Sequence, residues 1–292
     1  MTARQILVLM AGVVAISWAA PLIRLAEPAP ALTIAALRLV LSAPPMVALA
    51  AVSRGRGASP LGQRDLALLV VSAVALAMHF AFWVESVQRT SILASVVLVT
   101  MQPLFVAIGA WVFLGERPSR AVSIGIALGI LGAALLVGQG ASDGGTLTGN
   151  VFALIGGVMS SIYLVVGRGV RARLTTATYG AVVYSITAVI LVALVLATGA
   201  QVSGLPASAY AAIVLLALVP QLIGHNAMNW ALGSLSAAVV AVAILGEPVG
   251  SAIIAAVVLG EVPTALEAVG GAVVLAGVYV ALRGERRDST EA

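Results

Sequence analysis

A gapless shift of 145 residues lays the second half of this chain over the first. Leu114-Gly115-Glu116 returns as Leu259-Gly260-Glu261, Pro118 as Pro263 and Pro103 as Pro248. Gly12, Gly125 and Gly132 return as Gly157, Gly270 and Gly277, and Trp18 returns as Tyr163. Two copies of one unit are therefore expected, at 1–145 and 146–292. The first holds apolar stretches at 5–25, 30–52, 66–86, 91–114 and 119–139; the second holds them at 149–168, 175–198, 209–231, 235–259 and 264–282. A helix rises about 1.5 Å per residue, so each stretch can cross a hydrocarbon layer of about 30 Å. Five crossings per copy is an odd number, so the second copy enters the membrane upside down relative to the first. The prediction is an all-α integral membrane protein of ten transmembrane helices in two inverted five-helix repeats. Such pairs usually enclose a substrate site between the repeats, which makes a carrier the expected function.

Charge supports the topology. Only 9% of residues are charged, against about 25% in a soluble domain. All fifteen basic residues are Arg, and all but Arg24, Arg38 and Arg89 fall on one side of the ten-span arrangement. By the positive-inside rule both termini are cytoplasmic. The basic balance thus reflects membrane orientation and implies no nucleic-acid partner. Residues 9–18 match 154–163, so the N-terminal apolar run reads as part of the repeat and not as a cleaved signal. The longest loops, 53–65 and 140–148, leave no room for a soluble catalytic domain, and no Gly-rich loop ends in Lys-Ser/Thr. With no Cys, neither disulfides nor thiolate metal sites arise, and no cofactor or metal is expected.

Polar groups at mid-membrane depth are costly, so they nominate the site. Glu247 precedes Pro248 near the centre of span nine, and its repeat mate Gln102 precedes Pro103 in span four. Each proline frees a carbonyl and kinks its helix, and symmetric midplane breaks point to a binding or gating site. Alternatively, Glu247 satisfies backbone groups at its own kink. Trp18, His79, Trp83 and Tyr163 gather at similar depth and can line a cavity, with Met101 as an adaptable wall. Trp83 can equally anchor at the headgroups, and Met101 can be plain packing. Span eight carries Gln221, His225 and Asn229 at a spacing of four, expected to line the cytoplasmic entrance or to bond neighbouring helices. His79 and His225 are the only histidines, and proton coupling through them is conceivable. Arg38, within span two, needs a partner: a substrate carboxylate, Glu27, Glu85 or freed carbonyls. Gly125, Gly129 and Gly132 in span five, with Gly270, Gly271 and Gly277 in span ten, read as small-residue contact faces, for scaffold or a weak homodimer of an otherwise monomeric chain.

The two Leu-Gly-Glu-x-Pro segments, the Gly-rich fifth and tenth spans, Leu37-Arg38, Pro103 and Glu247-Pro248 together resemble the EamA family of the drug/metabolite transporter superfamily, over essentially the whole chain. Within it the chain looks most like bacterial exporters of aromatic amino acids of the YddG type. The resemblance implies a basket of helices one, three, four, six, eight and nine around a central cavity, with two and seven outside and five and ten as support. It also implies an inner-membrane secondary transporter that exports aromatic and apolar amino acids by alternating access. Trp18, His79, Met101 and Tyr163 fall where cavity-lining residues are expected. Span four lacks a central Trp, which implies a broader specificity than a purely aromatic cavity. Nucleotide-sugar relatives would need midplane cations for the phosphate, and this chain has no Lys. The alternatives are an exporter of cationic or lipophilic toxins, favoured by a midplane acid, and a passive channel. An intramembrane enzyme lacks the paired catalytic groups it would need.

Overall fold

The computed structural model describes residues 1–53, 62–90, 92–109, 112–113, 115, 117–140, 147–260 and 265–291. Leu114, Glu116, Glu261 and Pro263 of the repeated segment, with Arg54 and Arg56, lie outside the described residues. Among the described residues all regular structure is helical. The elements are α1 (Ala3–Ile16), α2 (Ala19–Leu25), α3 (Ala31–Ser53), α4 (Gln63–Arg89), α5 (Ile92–Val99), α6 (Gln102–Gly109) and α7 (Arg120–Gly140) in the first half. In the second half are α8 (Leu147–Arg171), α9 (Thr176–Thr198), α10 (Ala207–Leu216), a π-helical turn (Ala217–His225), α11 (Asn226–Ala231), α12 (Ala237–Ile244), α13 (Glu247–Leu259) and α14 (Ala265–Glu291). Seven runs are long and apolar enough to cross a membrane, and they coincide with predicted spans one, two, three, six, seven, eight and nine. Predicted span four is represented by the two short helices α5 and α6, while α7 and α14 carry the fifth and tenth apolar stretches.

Three breaks shape the interior, and proline causes them. A proline has no N–H for the carbonyl four residues earlier and clashes with it. Pro21, Pro103 and Pro248 sit just after interruptions at Ser17–Trp18, Thr100–Met101 and Leu245–Gly246, so these residues end one helix and start the next. The last two interruptions are repeat mates at the same shift of 145. Hydroxyls take up the backbone groups exposed there: Ser251 Oγ–H donates to Ser17 O (2.8 Å), and Ser161 Oγ–H donates to Gln102 O (3.1 Å). The symmetry lapses at the first break, because the counterpart of Ser17–Trp18 lies inside the uninterrupted α8. The π-helical turn around Pro220 likewise has only continuous α4 as its counterpart.

Glycine sets the closest helix approaches. Gly115 and Gly260, mates in the Leu-Gly-Glu segment, both adopt a left-handed φ, of 71° and 73°. A Cβ is strained there, so glycine at these two turns is a backbone requirement. The other requirement lies where α7 and α14 pack along one another. A Cβ at Gly277 would stand 2.7 Å from Gly125 O, and one at Gly132 would stand 2.6 Å from Gly270 O. The crossing is therefore backbone on backbone, and these glycines are consumed within the chain. Contacts between the halves continue through α4 on α8, α3 on α9, and α1 on the π-helical turn.

Candidate functional site

The breaks surround a small internal cavity of about 40 Å³. Thr100 and Gln102 contribute from the α5–α6 break, Glu247 and Ile244 from the α12–α13 break, and Ile16 and Ala19 from either side of the α1–α2 break. Long helices complete the wall with His79 and Trp83 of α4 and Ser160 and Tyr163 of α8, and His225 and Met228 close it from the eighth span. Elements of the first, third, fourth, sixth, eighth and ninth predicted spans thus meet here. A water needs about 10–15 Å³ of such volume. The cavity therefore admits a few waters, far short of the several hundred Å³ of a formed small-molecule pocket.

His79 and Trp83, one helical turn apart, stack with ring centroids 5.7 Å apart and planes 7° from parallel. His79 Nδ1–H donates to Gly156 O (2.9 Å), which fixes the tautomer and leaves Nε2 as the acceptor. Gly156 permits that approach, since a Cβ there would crowd Trp83 at 3.2 Å. His225 stands edge-on to Phe80, at 5.4 Å between centroids, and Phe80 in turn abuts His79 at 4.9 Å. Gln102 is 3% and Glu247 7% exposed, and among the described residues the Glu247 carboxylate makes no hydrogen bond. Both carboxylate and carboxamide are therefore committed to the cavity and not to capping the prolines beside them.

Tyr163 opens a polar network behind the wall. Its hydroxyl donates to Asn229 Oδ1 (2.7 Å), Asn229 Nδ2–H donates to Tyr184 Oη (3.3 Å), and Tyr184 Oη–H donates to Asn226 Oδ1 (3.0 Å). Arg171 Nε–H donates to Asn229 O (2.9 Å) and so anchors the far end. Asn229 is the hub, because one carboxamide serves two buried tyrosines. Asn229→Leu is expected to lower stability by about 1–2 kcal/mol, since both hydroxyls lose a partner in a dry site. Thermal unfolding in detergent reads this, and an unchanged midpoint would show the network to be dispensable.

Of the residues singled out from sequence, the cavity joins His79, Trp83, Gln102, Tyr163, His225 and Glu247. It does not take in Trp18, Met101 or Gln221. Trp18 lines a separate apolar groove of about 360 Å³ between α1, α12, α13 and α14. Met101 sits half-buried at the break itself. Gln221 is turned away by the π-helical turn and accepts from Arg38 Nε–H through Oε1 (2.8 Å). The polar stripe of span eight therefore splits three ways, to Arg38, to the cavity and to the tyrosines. Glu27 and Glu85 pair locally with Arg24 and Arg89 and leave Arg38 to Gln221 and the Phe80 face. Sequence reasoning passed over Thr100 and Ser160; a small hydroxyl in an apolar helix stands out only when it adjoins a break, as Thr100 does.

The model of the EamA-like transporter family matches residues 4–138 and again 147–283. A probable terminal-alkyne amino-acid exporter from Streptantibioticus cattleyicolor is 32% identical over 196 residues, which span 66% of this chain and 66% of that protein. An uncharacterized transporter from Archaeoglobus fulgidus is 26% identical over 247 residues, 83% of this chain and 84% of that one. A protein of known crystal structure superposes with a TM-score of 0.76 over 96% of this chain and 98% of its own, at 20% identity. That likeness speaks to the fold alone.

Proposed function

The chain belongs to the EamA-like transporter family, and from that premise we propose that this multi-pass membrane protein exports aromatic and apolar amino acids and related small metabolites by alternating access. In this reading ten transmembrane helices in two inverted repeats sit in a bacterial inner membrane with both termini cytoplasmic. The repeats are 1–145 and 146–292. The observation that carries the proposal is the cavity, where an aromatic stack and two polar side chains converge on helix breaks from both halves. The His79–Trp83 stack and Tyr163 would hold an apolar side chain, while Gln102 and Glu247 meet the ammonium end. The relative named as an amino-acid exporter favours the same substrate class. A cavity of about 40 Å³ is too small for any amino acid, so the described conformation is a closed one that must widen to load.

Saturable uptake of labelled tryptophan, methionine or leucine into proteoliposomes, above empty liposomes, is the expected result. Flat uptake for the whole panel overturns the substrate class, and a rate linear in concentration would identify a channel. The carboxylate of Glu247, free of hydrogen bonds among the described residues, favours a second reading in which lipophilic cations are exported. Uptake of tetraphenylphosphonium but of no amino acid in the same vesicles would establish it.

A further inference from the structure

Arg38 is fully buried in α3, with a relative exposure of 0%. Its Nε–H is committed to Gln221 Oε1, and the guanidinium carbon lies 4.1 Å from the centre of the Phe80 ring. One flank and one face of the group are thus covered. The remaining edge is sealed from solvent but unpaired, because Nη1 and Nη2 have no hydrogen-bond partner among the described residues. Gln221 Nε2 beside it and Trp83 Nε1 in the cavity wall are unpartnered as well. The only other side-chain atom so sealed from solvent without a hydrogen bond among the described residues is Arg24 Nε, so all five are nitrogen donors, while the Glu247 carboxyl, also without a hydrogen bond, belongs to the cavity lining. Four of the five belong to Arg38, Gln221 and Trp83.

A cluster of sealed, unpaired donors is complementary to an anion that brings two or more acceptor oxygens. The two free Nη–H groups form an end-on fork, which matches the spacing of a carboxylate and favours bidentate pairing. Phe80 links this group to the cavity wall, since its ring lies against the guanidinium face and neighbours His79 and His225 of the wall. We propose that Arg38, assisted by Trp83 Nε1–H, is the subsite for the α-carboxylate of the transported amino acid. The site is completed when the cavity widens past Phe80. This rests on the amino-acid reading above and goes further, because it makes the carboxylate the obligatory recognition element. Glu247, within electrostatic range of Arg38, offers its carboxyl oxygens to the ammonium, so the two ends of a zwitterion are met by two residues from different halves.

The test is displacement of labelled leucine from purified full-length protein by unlabelled leucine, leucinamide and 3-methylbutylamine, which share the side chain and differ at the carboxyl. In the wild type, leucine is expected to compete roughly 10- to 100-fold better than either carboxylate-free analogue, the range set by charge-assisted hydrogen bonds. Arg38→Gln should erase that preference, and Trp83→Phe should reduce it. Equal competition by all three in the wild type overturns the subsite while leaving an apolar amine carrier intact. Stronger binding of the two cationic analogues overturns it in favour of the cation reading. If neither leucine nor any other apolar or aromatic amino acid binds, the functional proposal falls and the subsite with it. Should Arg38→Gln fail to fold, the wild-type ranking decides alone.

Discussion

Gly277→Leu is expected to prevent the accumulation of folded protein. The substituted Cβ would lie 2.7 Å from Gly125 O and 3.0 Å from Gly129 N, both main-chain atoms that no rotamer change can move aside. Overpacking against side chains costs about 1–3 kcal/mol. Against backbone the helices themselves must separate, so the upper end of that range or beyond applies. Gly132→Leu, which meets Gly270 O and Val274 N, should act alike. Ala276→Leu is the control, because Ala276 is exposed on the outer face of the same helix. Size-exclusion profiles and unfolding midpoints in detergent read all three. A wild-type midpoint for Gly277→Leu would mean that α7 and α14 do not meet through this seam.

The second large effect is on transport and leaves the scaffold standing. Ser160 lies in the cavity wall on α8, between the break carrying Gln102 and the face carrying Tyr163. Its hydroxyl is dispensable to the network, whose hydrogen bonds run through Tyr163 and Asn229. Ser160→Leu replaces one hydroxyl with three carbon-sized groups, a net gain of about two, in a space of about 40 Å³ and fills it with apolar bulk. Amino-acid uptake into proteoliposomes should drop below about one tenth of wild type, while the unfolding midpoint stays within a few degrees. Transport at the wild-type rate would place the substrate path elsewhere.

The lengths of the apolar runs and the composition were enough for an all-helical membrane scaffold because a bilayer admits few solutions: seven of the ten predicted stretches coincide with helical runs long enough to cross, and Pro103 and Pro248 mark where two predicted stretches break. The cavity lining was legible wherever symmetry coincided with depth. Gln102, Glu247 and Tyr163 were found in that way, and His79 and Trp83 followed from their one-turn spacing. Gln221 and Trp18 were not, for separate reasons. Sequence spacing assumes 3.6 residues per turn, and the π-helical turn from Ala217 to His225 widens that period and swings Gln221 toward Arg38. Trp18 is the mate of Tyr163, but it sits at a break where Tyr163 sits on a continuous helix, so equivalent positions face different spaces. The partner of Arg38 was beyond reach from sequence, since the obvious carboxylates, Glu27 and Glu85, are held by Arg24 and Arg89.

The seam between α7 and α14 also bears on how such a chain arises. Gly125 meets Gly277, the repeat mate of Gly132, and Gly132 meets Gly270, the repeat mate of Gly125. Each contact is thus the other with its partners exchanged, which is the reciprocity of a self-complementary patch between identical subunits. A free-standing ancestor of half this length, inserted in both orientations, would recognise its own opposite through one glycine pair used twice. Joining two such copies end to end would preserve that handshake unchanged and leave every other position free to differ, as Ser17–Trp18 and Pro220 differ from their mates in the continuous α8 and α4.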